Sequence, residues 1–86
     1  METIYLDDFL SDGILKETPF REKVKTIDWS GYKDKKVLIK GCADVPIPTW
    51  AYLIITAQLS QHANHIVYGE PCSAVKIFSR NGNSSA

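Results

Sequence analysis

The clearest pattern in the chain is a pair of short apolar runs on either side of a long apolar segment. Residues 37–39 are all apolar, and residues 66–68 have the same character. Strands whose successive side chains are all apolar are covered on both faces, as in parallel sheets. The segment between the runs is long enough for a helix that starts at Pro48. The pattern predicts a β-α-β unit with parallel strands and a right-handed crossover, made of strand 36–42, helix 48–63 and strand 65–69.

Shorter elements flank this unit. Residues 3–10 alternate roughly between apolar and polar and predict an edge strand. A helix is expected to begin at Thr18-Pro19, where the Thr18 hydroxyl caps a free N–H, and Phe20, Val24 and Ile27 follow at helical spacing. Residues 74–78 predict a last strand. We therefore expect one α/β domain over residues 1–80, a small, mostly parallel sheet with helices packed on it in three layers, followed by a flexible polar tail, 81–86.

The predicted helix 48–63 is apolar nearly all round, whereas a helix lying on a sheet needs only one apolar stripe. One stripe contains Trp50 and Ala57, and another contains Ile55 and Leu59. An alternative is that residues 3–15 and the first helix cover the surplus. We expect instead that the chain forms a homodimer, with an interface at these residues of the helix: Trp50, Ala51, Tyr52, Ile55 and Leu59.

Composition and charge narrow the class of protein. The 86 residues are 44% apolar and 23% charged, which excludes a disordered or fibrous chain. Ten basic and ten acidic residues cancel, so we expect no nucleic-acid partner and no membrane partner. The longest apolar run, residues 50–57, is far below the ~20 residues that span a bilayer. The start of the chain lacks a basic segment before an apolar one, and we expect a cytoplasmic location.

Two cysteines mark the place where a site is expected. Cys42 and Cys72 follow the carboxyl ends of neighbouring predicted strands, and ligands of open α/β sheets bind outside that edge. Thiol redox chemistry, soft-metal or iron–sulfur binding by thiolates of two chains, and anion binding at the N-terminus of helix 48–63 all fit this place. Packed or simply reduced thiols are the plain alternative. The candidate ligand or thiol site is Cys42, Asp44, Thr49, Glu70, Cys72 and Ser73.

Other chemistries find little support. A zinc site made of both cysteines with His62 and His65 would have to bridge a strand about 16 Å long. The five glycines match neither dinucleotide-binding nor phosphate-loop patterns. The tryptophans and tyrosines are explained by core packing more simply than by base stacking. We therefore expect no metal, no cofactor and no catalytic residue.

Several strings resemble an uncharacterised family, found mainly in Bacteroidetes, of domains of unknown function. The likeness covers roughly residues 4–80 and is carried by these strings: Gly13-Ile-Leu-Lys-Glu with Phe20-Arg-Glu, Asp28-Trp-Ser-Gly-Tyr, Lys40-Gly-Cys-Ala-Asp, Ile47-Pro-Thr-Trp-Ala-Tyr and Tyr68-Gly-Glu-Pro-Cys-Ser-Ala-Val. Members are commonly about twice this length, with two related halves. The resemblance implies that a single unit pairs with itself. It also links the family loosely to iron–sulfur assembly gene clusters, and the motifs that contain Cys42 and Cys72 would carry such a role.

Together these observations favour a non-catalytic accessory or interaction protein that associates with itself. The alternatives are a thiol- or metal-handling protein that uses Cys42 and Cys72, and a small-anion binder at the start of helix 48–63.

Overall fold

The described part of the chain forms four strands and two helices, with one helix between the first and second strands and one between the second and third. The structure, a computed structural model, describes residues 1–41 and 45–80. Three short 3₁₀ helices connect the larger elements and lie at Leu6–Phe9, Trp29–Tyr32 and Pro71–Ser73. The main elements are β1 (Glu2–Tyr5), α1 (Glu17–Thr26), β2 (Lys36–Lys40), α2 (Thr49–Leu59), β3 (His65–Tyr68) and β4 (Val75–Ser79).

The strands form one mixed sheet in the order β1-β2-β3-β4. β1 pairs parallel with β2, β2 pairs parallel with β3, and β4 pairs antiparallel with β3. The register between β3 and β4 shifts at Ile66/Val67, so Ile77 of β4 has no direct partner. The α/β class expected from the sequence is confirmed, with α2 joining the parallel neighbours β2 and β3.

Several predicted bounds are corrected. The expected edge strand over residues 3–10 ends at Tyr5, because Leu6 and Phe9 turn inward three residues apart in a 3₁₀ helix. Thr18 does not cap α1, since the cap position is Lys16 and no side chain bonds there. The predicted helix 48–63 ends as α2 at Leu59, after which Ala63 N–H donates back to the Leu59 carbonyl. The predicted strand 36–42 ends as β2 at Lys40, and its expected last residue, Cys42, lies outside the described residues.

The core lies between the sheet and both helices. Phe20 and Val24 of α1 belong to the same buried cluster as Ile55 of α2 and Ile39 of β2. Phe20 is its centre, since its ring lies 5.2 Å from that of Phe9 and 5.4 Å from that of Trp50, measured between centroids. We call the sheet face under the helices the first face.

The other face of the sheet, here the second face, is built differently. Leu38 and Val67 are 1% and 7% exposed, yet they lie outside the cluster that holds the buried residues of both helices. Successive strand residues point to opposite faces, so these two residues point away from α1 and α2. The described residues therefore form two layers, and the expected third layer is not among them.

Candidate functional site

A shallow groove runs between α2 and the β4 end of the sheet on the first face. Its volume is about 410 Å³. α2 contributes the wall on one side, and β3 and β4 contribute the floor and the opposite wall. We call it the α2–β4 groove, and it is lined by Thr49, Tyr52, Leu53, Thr56, Tyr68 and Ile77.

The groove collects exposed apolar side chains. Leu53 is 63% exposed and Ile77 is 42% exposed. Val75 is paired with Tyr68 in the sheet register and is 54% exposed beside it. Among the described residues, seven large apolar side chains are exposed, and four of them belong to this surface: Leu53, Tyr68, Val75 and Ile77. Monomeric soluble proteins rarely keep such patches without a binding role.

Arg80 holds β4 in place beside α2. Its Nε donates to the Ala63 carbonyl at 3.1 Å, and its backbone N–H donates to the Asn64 carbonyl at 2.8 Å. Its Nη2 also donates to the Ser60 carbonyl. One residue directly after β4 thus donates to three carbonyls of the loop that follows α2, and these bonds tie the end of β4 to the end of α2.

Two tyrosines close one end of the groove. The rings of Tyr52 and Tyr68 meet edge to face, with centroids 5.6 Å apart. Burial raises the pKa of Tyr52 above its usual value, and the nearby Tyr68 phenol raises it further. A tyrosine phenol is already neutral at physiological pH, and the upward shift of the Tyr52 pKa moves its ionisation further from that range.

Gly41 leaves the space that the Tyr52 hydroxyl occupies. A Cβ at position 41 would overlap the Tyr52 hydroxyl oxygen and would lie 3.6 Å from Ile47 Cγ1. The hydroxyl thus packs on the backbone just after β2 ends. A side chain larger than hydrogen therefore fits at position 41 only if Tyr52 moves.

We predict that Gly41→Ala destabilises the fold by about 1–3 kcal/mol, because the added Cβ overlaps the Tyr52 hydroxyl and the Tyr52 ring must shift to relieve that overlap. Urea unfolding followed by circular dichroism measures the loss. Tyr52→Phe removes the hydroxyl, so the same glycine substitution made in that background should cost much less. Gly31→Ala is the matched control, since nothing lies within 4 Å of its added Cβ. Equal losses for the two glycine substitutions would contradict this account of Gly41.

The residues predicted for the dimer interface divide between core and surface. Ala51, Ile55 and Leu59 are 0% exposed and pack against the sheet of their own chain. Trp50 is half-buried with its ring edge-on to Phe20. Tyr52 alone among the five lines the groove. The apolar surplus of α2 that remains on the surface is instead centred on Leu53.

The residues predicted for a ligand or thiol site are not brought together as one described cluster. Cys42 and Asp44 lie outside the described residues. Cys72 and Ser73 are exposed in the 3₁₀ helix after β3, and the Glu70 carboxylate lies 3.8 Å from Lys40 Nζ. Thr49 begins α2 and lines the groove. The thiol and anion alternatives therefore stay predictions.

Within residues 1–41 and 45–80, no three His, Cys, Asp or Glu side chains gather closely enough to hold a metal ion. No helix in the same ranges has the length and apolar character needed to cross a membrane.

The groove residues absent from the predicted site are Leu53, Thr56, Tyr68 and Ile77. A signal for Leu53 is present in the sequence, since it belongs to the surplus of apolar residues on the helix. Tyr68 and Ile77 carry no such signal, because a strand pattern does not tell which residues border a neighbouring helix.

The fold and the groove define a small α/β domain with an exposed apolar surface. The chain belongs to the family described as Protein of unknown function (DUF2480), which matches residues 27–80. The match contains the whole α2–β4 groove as well as β2, β3 and β4. No curated protein and no solved structure shows a significant match to the chain.

Proposed function

We propose that this chain is a non-catalytic interaction protein that works as a homodimer, with the α2–β4 groove as the contact surface. One observation carries the proposal: four of the seven exposed large apolar side chains in the described residues gather on this surface. Scattered apolar residues need no explanation, but a continuous patch is typical of an interaction site.

The chemistry of the surface suits contact between proteins. Leu53, Val75 and Ile77 supply apolar area, whereas Thr49 and Thr56 supply hydroxyls at the border. An apolar centre with a polar border is the usual composition of a protein interface. Full burial of an aliphatic side chain is worth roughly 1.5–3 kcal/mol, so these residues favour association once a partner covers them.

The position of the groove favours a second copy of the chain. The groove lies at the β4 edge, where β4 has a neighbouring strand on one side only. A two-fold dimer brings the same patch of both copies together. The patch would then meet its equivalent, and the outer edges of the two β4 strands would lie side by side. This proposal keeps the homodimer expected from the apolar helix and moves its centre from Ile55 to Leu53.

Leu53→Asp tests the contact surface. We expect the unchanged protein to have a mass in solution of about twice 9.6 kDa by light scattering. Each copy in the variant loses roughly 1.5–3 kcal/mol of apolar burial, and the dimer Kd rises at least about 100-fold because two copies meet. The variant should therefore run as a monomer and keep its circular dichroism spectrum, since Leu53 is exposed.

Ile14→Asp is the matched control. Ile14 is 52% exposed, comparable to Leu53 at 63%, but it lies in the turn before α1 and not in the groove. It should leave the dimer intact. A mass near 9.6 kDa for the unchanged protein at micromolar concentration would overturn the proposal. A dimer that survives Leu53→Asp would show that another surface holds it.

A further inference from the structure

The second face of the sheet carries a set of basic and aromatic side chains. The register places Lys36 beside His65, Leu38 beside Val67, and Val67 beside Lys76. Tyr5 stands beside Lys40 at the other end of β2. Residues that pair across neighbouring strands share a face. The second face therefore consists of Thr3, Tyr5, Lys36, Leu38, Lys40, His65, Val67, Lys76 and Ser79.

This face is positively charged. It holds three lysines and a histidine, and none of its nine strand residues is acidic. Lys40 pairs with Glu70, which lies beyond the end of β3, at 3.8 Å. Lys36 and Lys76 are exposed and have no carboxylate within 4 Å among the described residues.

On the helical layer, by contrast, basic side chains form ion pairs with acidic side chains nearby. On α1, Arg21 Nε lies 2.8 Å from a Glu17 carboxylate oxygen, and Lys25 pairs with Glu22 at 3.3 Å. Those two cations are neutralised locally, whereas Lys36 and Lys76 on the second face have no carboxylate partner among the described residues. An available set of cations on one surface needs an anionic partner to complement it.

The net charge of zero does not show that acidic and basic residues are unevenly distributed along the chain. Residues 1–34 hold eight acidic and five basic residues, and residues 35–86 hold two acidic and five basic residues, so the two parts carry formal charges of −3 and +3. The expectation of no nucleic-acid partner rested on the net charge of the whole chain, in which the charges of the two parts cancel. Only the arrangement in space shows that the strands of the second part present their lysines together.

An acidic protein segment and a nucleic acid are the two kinds of anionic partner that fit such a face. The exposure of the apolar side chains on the face distinguishes between them. A docking helix needs apolar anchors, but Leu38 and Val67 at the centre of the face are already 1% and 7% exposed. The groups that remain are lysine ammonium groups and the rings of Tyr5, which is 48% exposed, and His65, which is partly exposed. Cations interleaved with rings are the chemistry that binds phosphates and stacks unpaired bases.

We propose that the second face of the sheet binds single-stranded nucleic acid. Lys36 and Lys40 stand about 13 Å apart along β2, and Lys76 lies two strands away from them. They contact the phosphates, while Tyr5 and His65 receive bases. Three lysines neutralise about three phosphates, fewer than the 6–10 that duplex-binding proteins typically contact. Unpaired bases can stack on the rings of Tyr5 and His65, whereas bases paired inside a duplex cannot, so the face selects a single strand over a duplex.

Fluorescence anisotropy with labelled octauridylate tests the proposal. With about three phosphate contacts, we expect binding to weaken roughly 20-fold between 50 and 200 mM salt. Lys36→Gln combined with Lys76→Gln should weaken binding at the lower salt concentration at least about tenfold and should flatten the salt dependence. Both residues are exposed, so the variant should keep its circular dichroism spectrum.

Lys16→Gln combined with Lys25→Gln is the matched control, since it removes the same charge from the helical layer. It should bind octauridylate like the unchanged protein. Equal weakening by both double variants would overturn the proposal, as would the absence of binding at the lower salt concentration. Stronger binding of poly-glutamate than of octauridylate would show that the partner is an acidic protein. The second face lies opposite the α2–β4 groove, so this test and the dimer test fail independently.

Discussion

Phe20→Ala will lower the free energy of unfolding by about 3–5 kcal/mol, the usual cost of removing a buried phenylalanine. Phe20 is 0% exposed and touches parts of the chain that are far apart in sequence. Its ring packs on Phe9 of the first 3₁₀ helix and meets the edge of Trp50 in α2. An alanine therefore leaves a cavity where three elements join.

A loss of that size removes a large fraction of the stability of a small domain, which is roughly 0.05–0.15 kcal/mol per residue. Calorimetry should show a fall in Tm of at least about 12 °C. Phe20→Leu keeps most of the volume and should lose much less. A loss below about 1 kcal/mol in Phe20→Ala would contradict the central position given to this ring.

Ile55→Ala will also destabilise the fold, by about 2–5 kcal/mol, without weakening the association of two chains. Ile55 is 0% exposed and lies in the core cluster with the first face of the sheet. Its side chain is therefore buried within one chain, and the cost falls on the folding of that chain. The substitution therefore tests whether Ile55 is a core residue or an interface residue, as the apolar pattern of the helix predicted.

The matched variant is Leu53→Ala, two residues earlier on the same helix and 63% exposed. It should change the stability of the folded chain by less than about 0.5 kcal/mol and should weaken the dimer. Mass and urea unfolding, measured over roughly a hundredfold range of protein concentration, separate the two effects because only association depends on concentration. An Ile55→Ala protein that folds normally but no longer dimerises would show that Ile55 belongs to the dimer interface, as the sequence predicted.

Local patterns predict the elements of this fold well. β2 and β3 are found where continuous apolar runs stand, and α1 buries Phe20 and Val24 as its spacing predicts. The residues at which the elements begin and end are less well predicted, because several neighbouring side chains can bond to the same backbone groups. Thr18 is a good capping residue, yet α1 starts before it, because capping strength is small beside the packing of the whole helix.

The candidate site could be predicted only in part. The sequence shows that α2 carries more apolar surface than a sheet can cover, and this excess lines the groove. It does not show which side of α2 faces outward, because Leu53 and Ile55 are equally apolar and lie on different sides of the helix. The contact between Trp50 and Phe20, together with the burial of Ala51 and Leu59, sets that rotation.

The second face shows the same division. Continuous apolar runs in β2 and β3 predicted cover on both sides of the sheet, but Leu38 is buried on a face that neither α1 nor α2 covers. A continuous apolar run predicts that both faces of a strand are buried, but it does not show which part of the chain buries each face.

By itself, the sequence determined the α/β class, the number and order of the main elements, and the excess of apolar surface on α2. These follow from periodicity and composition, which act between neighbours along the chain. Only the tertiary structure decided that both helices pack on one face, that Leu53 and Ile77 meet at the β4 edge, and that Lys36 and Lys76 share the other face. Those outcomes depend on helix rotation and strand register, which arise from contacts between residues that are distant in sequence.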